Sequence, residues 1–139
     1  MVVLDTNHIT VLGYATPGSA ALLERLDASN EEAVTTVITL EEQMRGWLAA
    51  INKIKDVHKQ ICAYDRLRIR TEFLARWVLL PWDEEAASRF VEFRKAGVRI
   101  ATMDLKIACI TLGHDATLLT RNTRDFQKIP GLKFPNWLD

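Results

Sequence analysis

The chain of 139 residues is predicted to fold as an α/β sandwich around a mainly parallel central sheet. Three observations predict this. Short apolar runs, the pattern of strands buried on both faces, recur at VVL, AVTTVITL, WVLLPW and ATLLT. Between them lie longer segments with apolar residues at three- and four-residue steps, the period of a helix packed on one side. The two kinds of segment alternate, as parallel strands require, because a crossover must carry the chain back to the starting edge each time.

Taken in order, Val2, Val3 and Leu4 form the first strand, which stops on Asp5; Thr6 and Asn7 behind it suit a helix start. Pro17-Gly18 reads as a turn, and Leu22, Leu23 and Leu26 place a helix over Ser19 to Ala28. SNEE is a surface turn, and the β-branched residues of AVTTVITL make the second strand. From Glu41 the period changes. Met44, Trp47, Leu48, Ile51 and Ile54 line one face of a helix, and Ile61, Tyr64, Leu67 and Phe73 give another from about Val57 to Arg76. WVLLPW is a strand ended by Pro81; Asp83 caps the helix EEAASRFVEFRKA and Gly97 closes it. Thr102 or Asp104 opens a further core helix through Ile107, Ala108, Ile110 and Leu112, closed at Gly113. ATLLT is a strand, and LKF near the end supplies one more. No repeat, low-complexity tract or linker interrupts the chain, so residues 1–139 read as a single domain.

Lys plus Arg number 18 and Asp plus Glu number 18, so the total charge neither favours nor excludes a polyanionic partner; distribution must decide. Cys62 and Cys109 stand far apart and form no CxxC or Cys/His cluster, which speaks against a disulfide framework and a zinc site. Cys109 reads as core packing. No stretch approaches the roughly 18 apolar residues of a membrane span. The N-terminal apolar run lacks a basic leader. The expected location is the cytoplasm, with no membrane partner.

The acids are the informative residues. In an open parallel sheet, ligands bind outside the carboxyl ends of the strands. Asp5 follows the first strand there, Glu42 follows the second within one helical turn, Asp104 opens a late helix, and Asn122 and Asp125 follow ATLLT. Each also has a purely structural use. Asp5 suits a helix cap, Thr39 and Glu42 have the spacing of a capping box, Asp104 suits a helix dipole and Asp125 a turn. If the acids converge, their mutual repulsion calls for a counter-charge, and no Lys or Arg flanks Asp5. A hard divalent cation, Mg²⁺ or Mn²⁺, takes oxygen ligands and activates water for phosphodiester hydrolysis.

The surrounding words of sequence resemble a PIN domain and, within that superfamily, the VapC-type ribonuclease toxins of prokaryotic toxin–antitoxin pairs. VLDTN at Val3 to Asn7 resembles the opening strand and first acidic position. ITLEEQMRG at Ile38 to Gly46 resembles the second motif, a Glu followed four positions later by Gly, which picks Glu42 over Glu41. MDLKIACITLGHDATLLTRNTRDF, Met103 to Phe126, resembles the third and fourth motifs together, and Trp137 fits an aromatic near the end. The resemblance implies an α/β/α PIN-type sandwich in which Asp5, Glu42 and Asp104 bind the catalytic metal. Many relatives carry Asp where this chain has Asn122. Asn122 is therefore expected to orient a metal-bound water or to hold Asp5, with Asp125 as an outer ligand. Thr6 and Thr120 are expected to support the acids, and Thr6 to meet a phosphate oxygen.

The activity implied is metal-dependent hydrolysis of RNA as an endoribonuclease, with a cognate antitoxin as partner and a homodimeric assembly; the alternative is a catalytically silent PIN fold that binds RNA or protein. Positive charge for RNA is expected from Arg121 and Arg124 beside the fourth motif. More comes from the helical pair between Arg45 and Arg76, where Lys53, Lys55, Lys59, Arg66, Arg68 and Arg70 outnumber the acids. Trp47 and Tyr64 are candidates for a protein interface, Trp47 also for core packing. His8, His58 and His114 have no metal-ligand spacing and are expected at the surface or at helix ends.

Overall fold

A computed structural model describes all 139 residues. Its four strands, β1 (Val2–Leu4), β2 (Ala33–Thr36), β3 (Leu79–Leu80) and β4 (Thr117–Leu119), form one sheet in the order β3-β2-β1-β4. Every pairing is parallel, with Val3 opposite Val34 and Leu118, and Thr36 opposite Leu80. The helices are α1 (Thr6–Leu12), α2 (Pro17–Ser29), α3 (Val37–Asn52), α4 (Gln60–Leu74), α5 (Glu84–Lys95), α6 (Thr102–Gly113) and α7 (Thr123–Phe126).

Strand side chains alternate between faces, and the three residues of β1 show what that does. Val3 enters a core with Val34, Leu118 and the buried residues of α6, among them Leu105, Ile107 and Cys109. Val2 and Leu4 enter a second core with Leu119, Ile9 of α1, Leu22 and Leu26 of α2, and Leu74 of α4. The sheet is thus covered on both faces, which is why its strands carry no charged residue and why the polar Thr35 and Thr36 of β2 are themselves buried. This is the expected α/β/α sandwich.

The strand order also locates a crevice. From β1 the chain moves outward through β2 to β3, then returns to place β4 on the opposite side of β1. The crossover direction reverses between β1 and β4, and at such a point the loops beyond the carboxyl ends diverge and leave a cleft. The backbone N–H of Asp5 donates to the Leu119 carbonyl at 3.1 Å, tying the two strand ends together at that cleft.

Several boundaries differ from expectation, each for a visible reason. The run AVTTVITL is a strand only as far as Thr36; Val37, Ile38, Thr39 and Leu40 already belong to α3. Thr36 ends the strand and caps the helix, its Oγ1 accepting from the Thr39 N–H at 3.1 Å, so the proposed capping box of Thr39 with Glu42 does not form. Thr36→Ala is expected to cost about 1 kcal/mol, read as a lower urea midpoint at unchanged slope. Pro17 is the first residue of α2 rather than part of a turn, behind a reciprocal cap between Thr16 and Ser19. The helix expected over Val57 to Arg76 spans Gln60–Leu74. Asp83 caps α5 as expected, and Gly97, at φ 86°, closes it in the left-handed conformation a side chain disfavours. Ala101 precedes α6, so Asp104 lies inside its first turn. LKF makes one bridge, Lys133 to Thr117, rather than a strand.

Candidate active site

Asp5 is buried, 6 % exposed, because it ends β1 and begins α1 at once. Its Oδ1 accepts the backbone N–H of His8 at 3.2 Å, the cap expected of it. Capping uses one oxygen, so that role and a place in the cleft coexist. The adjacent Thr6 donates from Oγ1 to Glu42 Oε1 at 2.9 Å. Thr10 Oγ1 donates to the Thr6 carbonyl at 2.7 Å and accepts from Gln43 Nε2 at 2.8 Å. This lacing holds α1 against α3 and fixes Glu42 toward the end of β1.

From the far side of the cleft, α6 presents Asp104 and the loop after β4 presents Asn122. The Asn122 amide donates to Asp104 Oδ2 at 3.1 Å and to Asp125 Oδ2 at 3.0 Å. Asn122 therefore holds Asp104 and Asp125, not Asp5 as expected. An amide carries two N–H groups and no charge, so it joins two carboxylates that a third carboxylate would repel. Thr120, fully buried, accepts the Asn122 N–H at 3.0 Å and sets the loop.

The acids lie within reach of one another's charge. Burial pushes the Glu42 carboxyl above its ordinary pKa, and the charges of Asp104 and Asp5 push the same way against the Thr6 hydrogen bond. Burial likewise raises Asp104, with Asp5 and Asp125 adding to it and the Asn122 hydrogen bond opposing. No Lys or Arg pairs with Asp5, Glu42 or Asp104; only Asp125 has one, Lys128 at 3.8 Å. As the side chains lie, no three acids close around a common point tightly enough to enclose an ion. The donor set is nonetheless all oxygen and under-neutralised. It fits Mg²⁺ or Mn²⁺, which keep several waters and need only one or two carboxylates directly.

The basic residues are placed unequally. Arg121 and Arg124 are exposed beside the loop of Asn122; Arg121 reaches Asp139 at 3.5 Å and Arg124 has no ion pair. Arg68 is matched on its own helix by Asp65 at 2.8 Å and Glu72 at 3.3 Å, so little of its charge is free for a polyanion. Arg70 lies over the Tyr14 ring, 3.9 Å from its centroid. With Trp47, Lys59, Arg66 and Tyr14 it lines a cleft of about 260 Å³ away from the acids. The apolar stripe of α3 and α4 is only half used: Met44, Leu48, Ile61, Tyr64 and Ile69 are exposed, while Trp47 packs against the second core.

His58 and His114 are exposed as expected, but His8 is not a surface residue. Its ring is fully buried, with Nδ1 3.2 Å from Asp5 Oδ1. Its position three residues after the cap held the signal, since the third residue of a helix reaches back to the cap. The cysteines are both free, and burial pushes the Cys109 thiol up to about 11.

Fold and cleft together define an α/β protein with an acidic site at the switch point of a parallel sheet. A PIN domain model matches residues 2–132, and the chain belongs to the PIN domain family. It is 30 % identical over 138 residues to Ribonuclease VapC1 of Haemophilus influenzae, covering 96 % of each chain. Among solved structures, VapBC-1 from nontypeable Haemophilus influenzae superposes with a TM-score of 0.74 at 25 % identity over all of both chains. VapBC2 from Rickettsia felis, bound to a DNA fragment from its promoter, gives 0.68 at 26 % over 99 % of each. The resemblance of the chain to PIN domains of the VapC type is borne out.

Proposed function

We propose that this single PIN domain is a Mg²⁺- or Mn²⁺-dependent endoribonuclease and the toxin of a toxin–antitoxin pair. The observation that supports the reading is that Asp5, Glu42 and Asp104, from three remote segments, lie within reach of one another's charge, with burial first and that charge second raising the pKa of Glu42 and of Asp104. The names of the relatives, a ribonuclease VapC1 and VapBC complexes, support the activity and an antitoxin partner.

Asp5, Glu42 and Asp104 would hold the cation. Bound there, it would supply counter-charge for a phosphoryl oxygen and activate a water. The chain's own residues do the positioning. Thr6 fixes Glu42, and Asn122 bridges Asp104 and Asp125 while orienting both. Arg121 and Arg124, exposed at the rim, would grip RNA phosphates; Arg70 is a more remote contact and Arg68 a weaker one. The exposed apolar side chains of α3 and α4 would serve the antitoxin or a second copy of the chain in a cytoplasmic homodimer.

Asp5→Asn is expected to reduce cleavage of structured RNA by about 100-fold or more, since cation-derived charge stabilisation is worth several kcal/mol. The assay uses purified protein with and without Mn²⁺. Cleavage persisting in the variant and in excess chelator rejects the mechanism. A wild-type protein that binds no Mn²⁺ and cuts nothing is a silent binding module instead.

A further inference from the structure

We propose that His8 is a positioning residue for the Asp5 carboxylate, locked in one tautomer by the backbone of the C-terminal segment. The proposal deepens the reading of Asp5 as a metal ligand and rests on it. The decisive contact comes from Trp137, 129 residues away, whose backbone N–H donates to His8 Nε2 at 3.3 Å. A backbone N–H only donates, so Nε2 must offer its lone pair and carry no hydrogen. The ring hydrogen therefore sits on Nδ1 and points at Asp5 Oδ1, 3.2 Å away.

The same oxygen also takes the backbone N–H of His8 at 3.2 Å. One residue thus supplies two donors to Oδ1, and no protein donor reaches Oδ2. That fixes the carboxylate's rotation and leaves Oδ2 available to the cleft. Both ring nitrogens are engaged, so the imidazole orients a ligand rather than acting as one. It is fully buried, and water does not compete for either nitrogen.

The tail that sets the tautomer is itself anchored. Trp137 and Leu138 pack on the core that contains Leu4 and Ile9, next to Asp5 and His8 in sequence. The Arg25 guanidinium lies over the Trp137 ring at 4.9 Å, and Arg121 reaches the Asp139 carboxylate. The last residues of the chain are in this way coupled to the first acid of the site through one imidazole.

Two measurements test this on the whole 139-residue chain. Long-range ¹H–¹⁵N spectra of labelled wild-type protein read which ring nitrogen is protonated; the expected result is Nδ1–H, and an Nε2–H ring overturns the proposal. Calorimetric titration with Mn²⁺ alone is then compared across variants. His8→Leu removes both ring contacts and is expected to weaken Mn²⁺ binding about 10- to 100-fold. His8→Asn keeps an amide donor near the place of Nδ1 while losing the Trp137 contact, and should recover most of that affinity. A role in packing alone would make both variants equally poor, which is the overturning result. If wild type binds Mn²⁺, Asp5→Asn abolishes binding and His8→Leu changes nothing, the positioning role fails while the metal reading stands. If Asp5→Asn does not alter Mn²⁺ binding, the metal reading fails and takes the proposal with it.

Discussion

Glu42→Gln is expected to abolish RNA cleavage to background, a loss of about 100-fold or more, while making the metal-free protein harder to unfold. The two effects have one cause. Glu42 is half-buried, lacks a basic partner, and faces the charges of Asp104 and Asp5. Its pKa is raised by burial first and by those charges second, so the folded protein holds this proton more tightly than the unfolded chain does. Folding is therefore opposed wherever the carboxyl is ionised. The opposition sets in as pH rises through the interval between the ordinary glutamate value and the raised one, and persists at every higher pH. Asp104 behaves the same way for the same first cause, so lowering the pH from neutral into that interval should stabilise the metal-free protein until other carboxylates protonate. The amide introduced by Glu42→Gln keeps the shape and an oxygen for the Thr6 hydroxyl but removes the charge. Thermal unfolding in chelator should give a higher Tm for the variant near neutral pH, with a weaker dependence on pH. Added Mn²⁺ should raise the Tm of wild type and leave the variant nearly unmoved. A variant that is less stable than wild type without metal would show that Glu42 supports the fold, not the chemistry.

How much of this was legible in the sequence follows from which interactions are local. The four strands are legible in VVL, AVTTVITL, WVLLPW and ATLLT, though with ends that run past the observed strands, because burial on both faces leaves an apolar or β-branched signature in the chain itself. Their order is not, since it depends on β1 accepting β2 and β4 on opposite edges, a choice made by partners remote in sequence. Val37, Ile38 and Thr39 favour strands by residue type, yet they continue as helix because Thr36 caps them and Ile38 finds the core from a helical position. Met44, Leu48, Ile61 and Tyr64 have helical periodicity, but a period reports that a face exists and not what covers it. Among the acids, the DTN and EEQMRG motifs single out Asp5 and Glu42, whereas the Asn122 contact with Asp104 is made between residues 18 positions apart and leaves no local pattern. His8 was misplaced for the same reason. Its contact with Asp5 is local, but the partner of its other ring nitrogen is the backbone of Trp137 at the other end of the chain.

Phe126→Ala is expected to cost about 3–5 kcal/mol, a large part of the roughly 5–15 kcal/mol that holds a domain of this kind together. Phe126 is fully buried in the core with Val3, Leu118 and Ile129, and it is the last residue of the four-residue helix α7. A helix that short has no stability of its own. Phe126, with Ile129 and Leu132 after it, anchors the segment in the core, and with it Asp125 beside it and Asn122, whose carbonyl accepts the Phe126 N–H at 3.3 Å. Removing the ring leaves a cavity under the segment after β4 that carries Asn122 and Asp125. The Tm should fall by roughly 10–20 °C, and Mn²⁺ affinity should fall too, since Asn122 would no longer hold the two carboxylates at fixed positions. Phe126→Leu refills much of the volume and should recover most of both losses. Glu42→Gln and Phe126→Ala thus damage the same site with opposite signs in stability, one by relieving repulsion and one by removing the support that makes repulsion tolerable. A Phe126→Ala protein that unfolds at a lower temperature yet binds Mn²⁺ as tightly as wild type would show that the acids are placed by β1, α3 and α6 alone, with the loop after β4 playing no part.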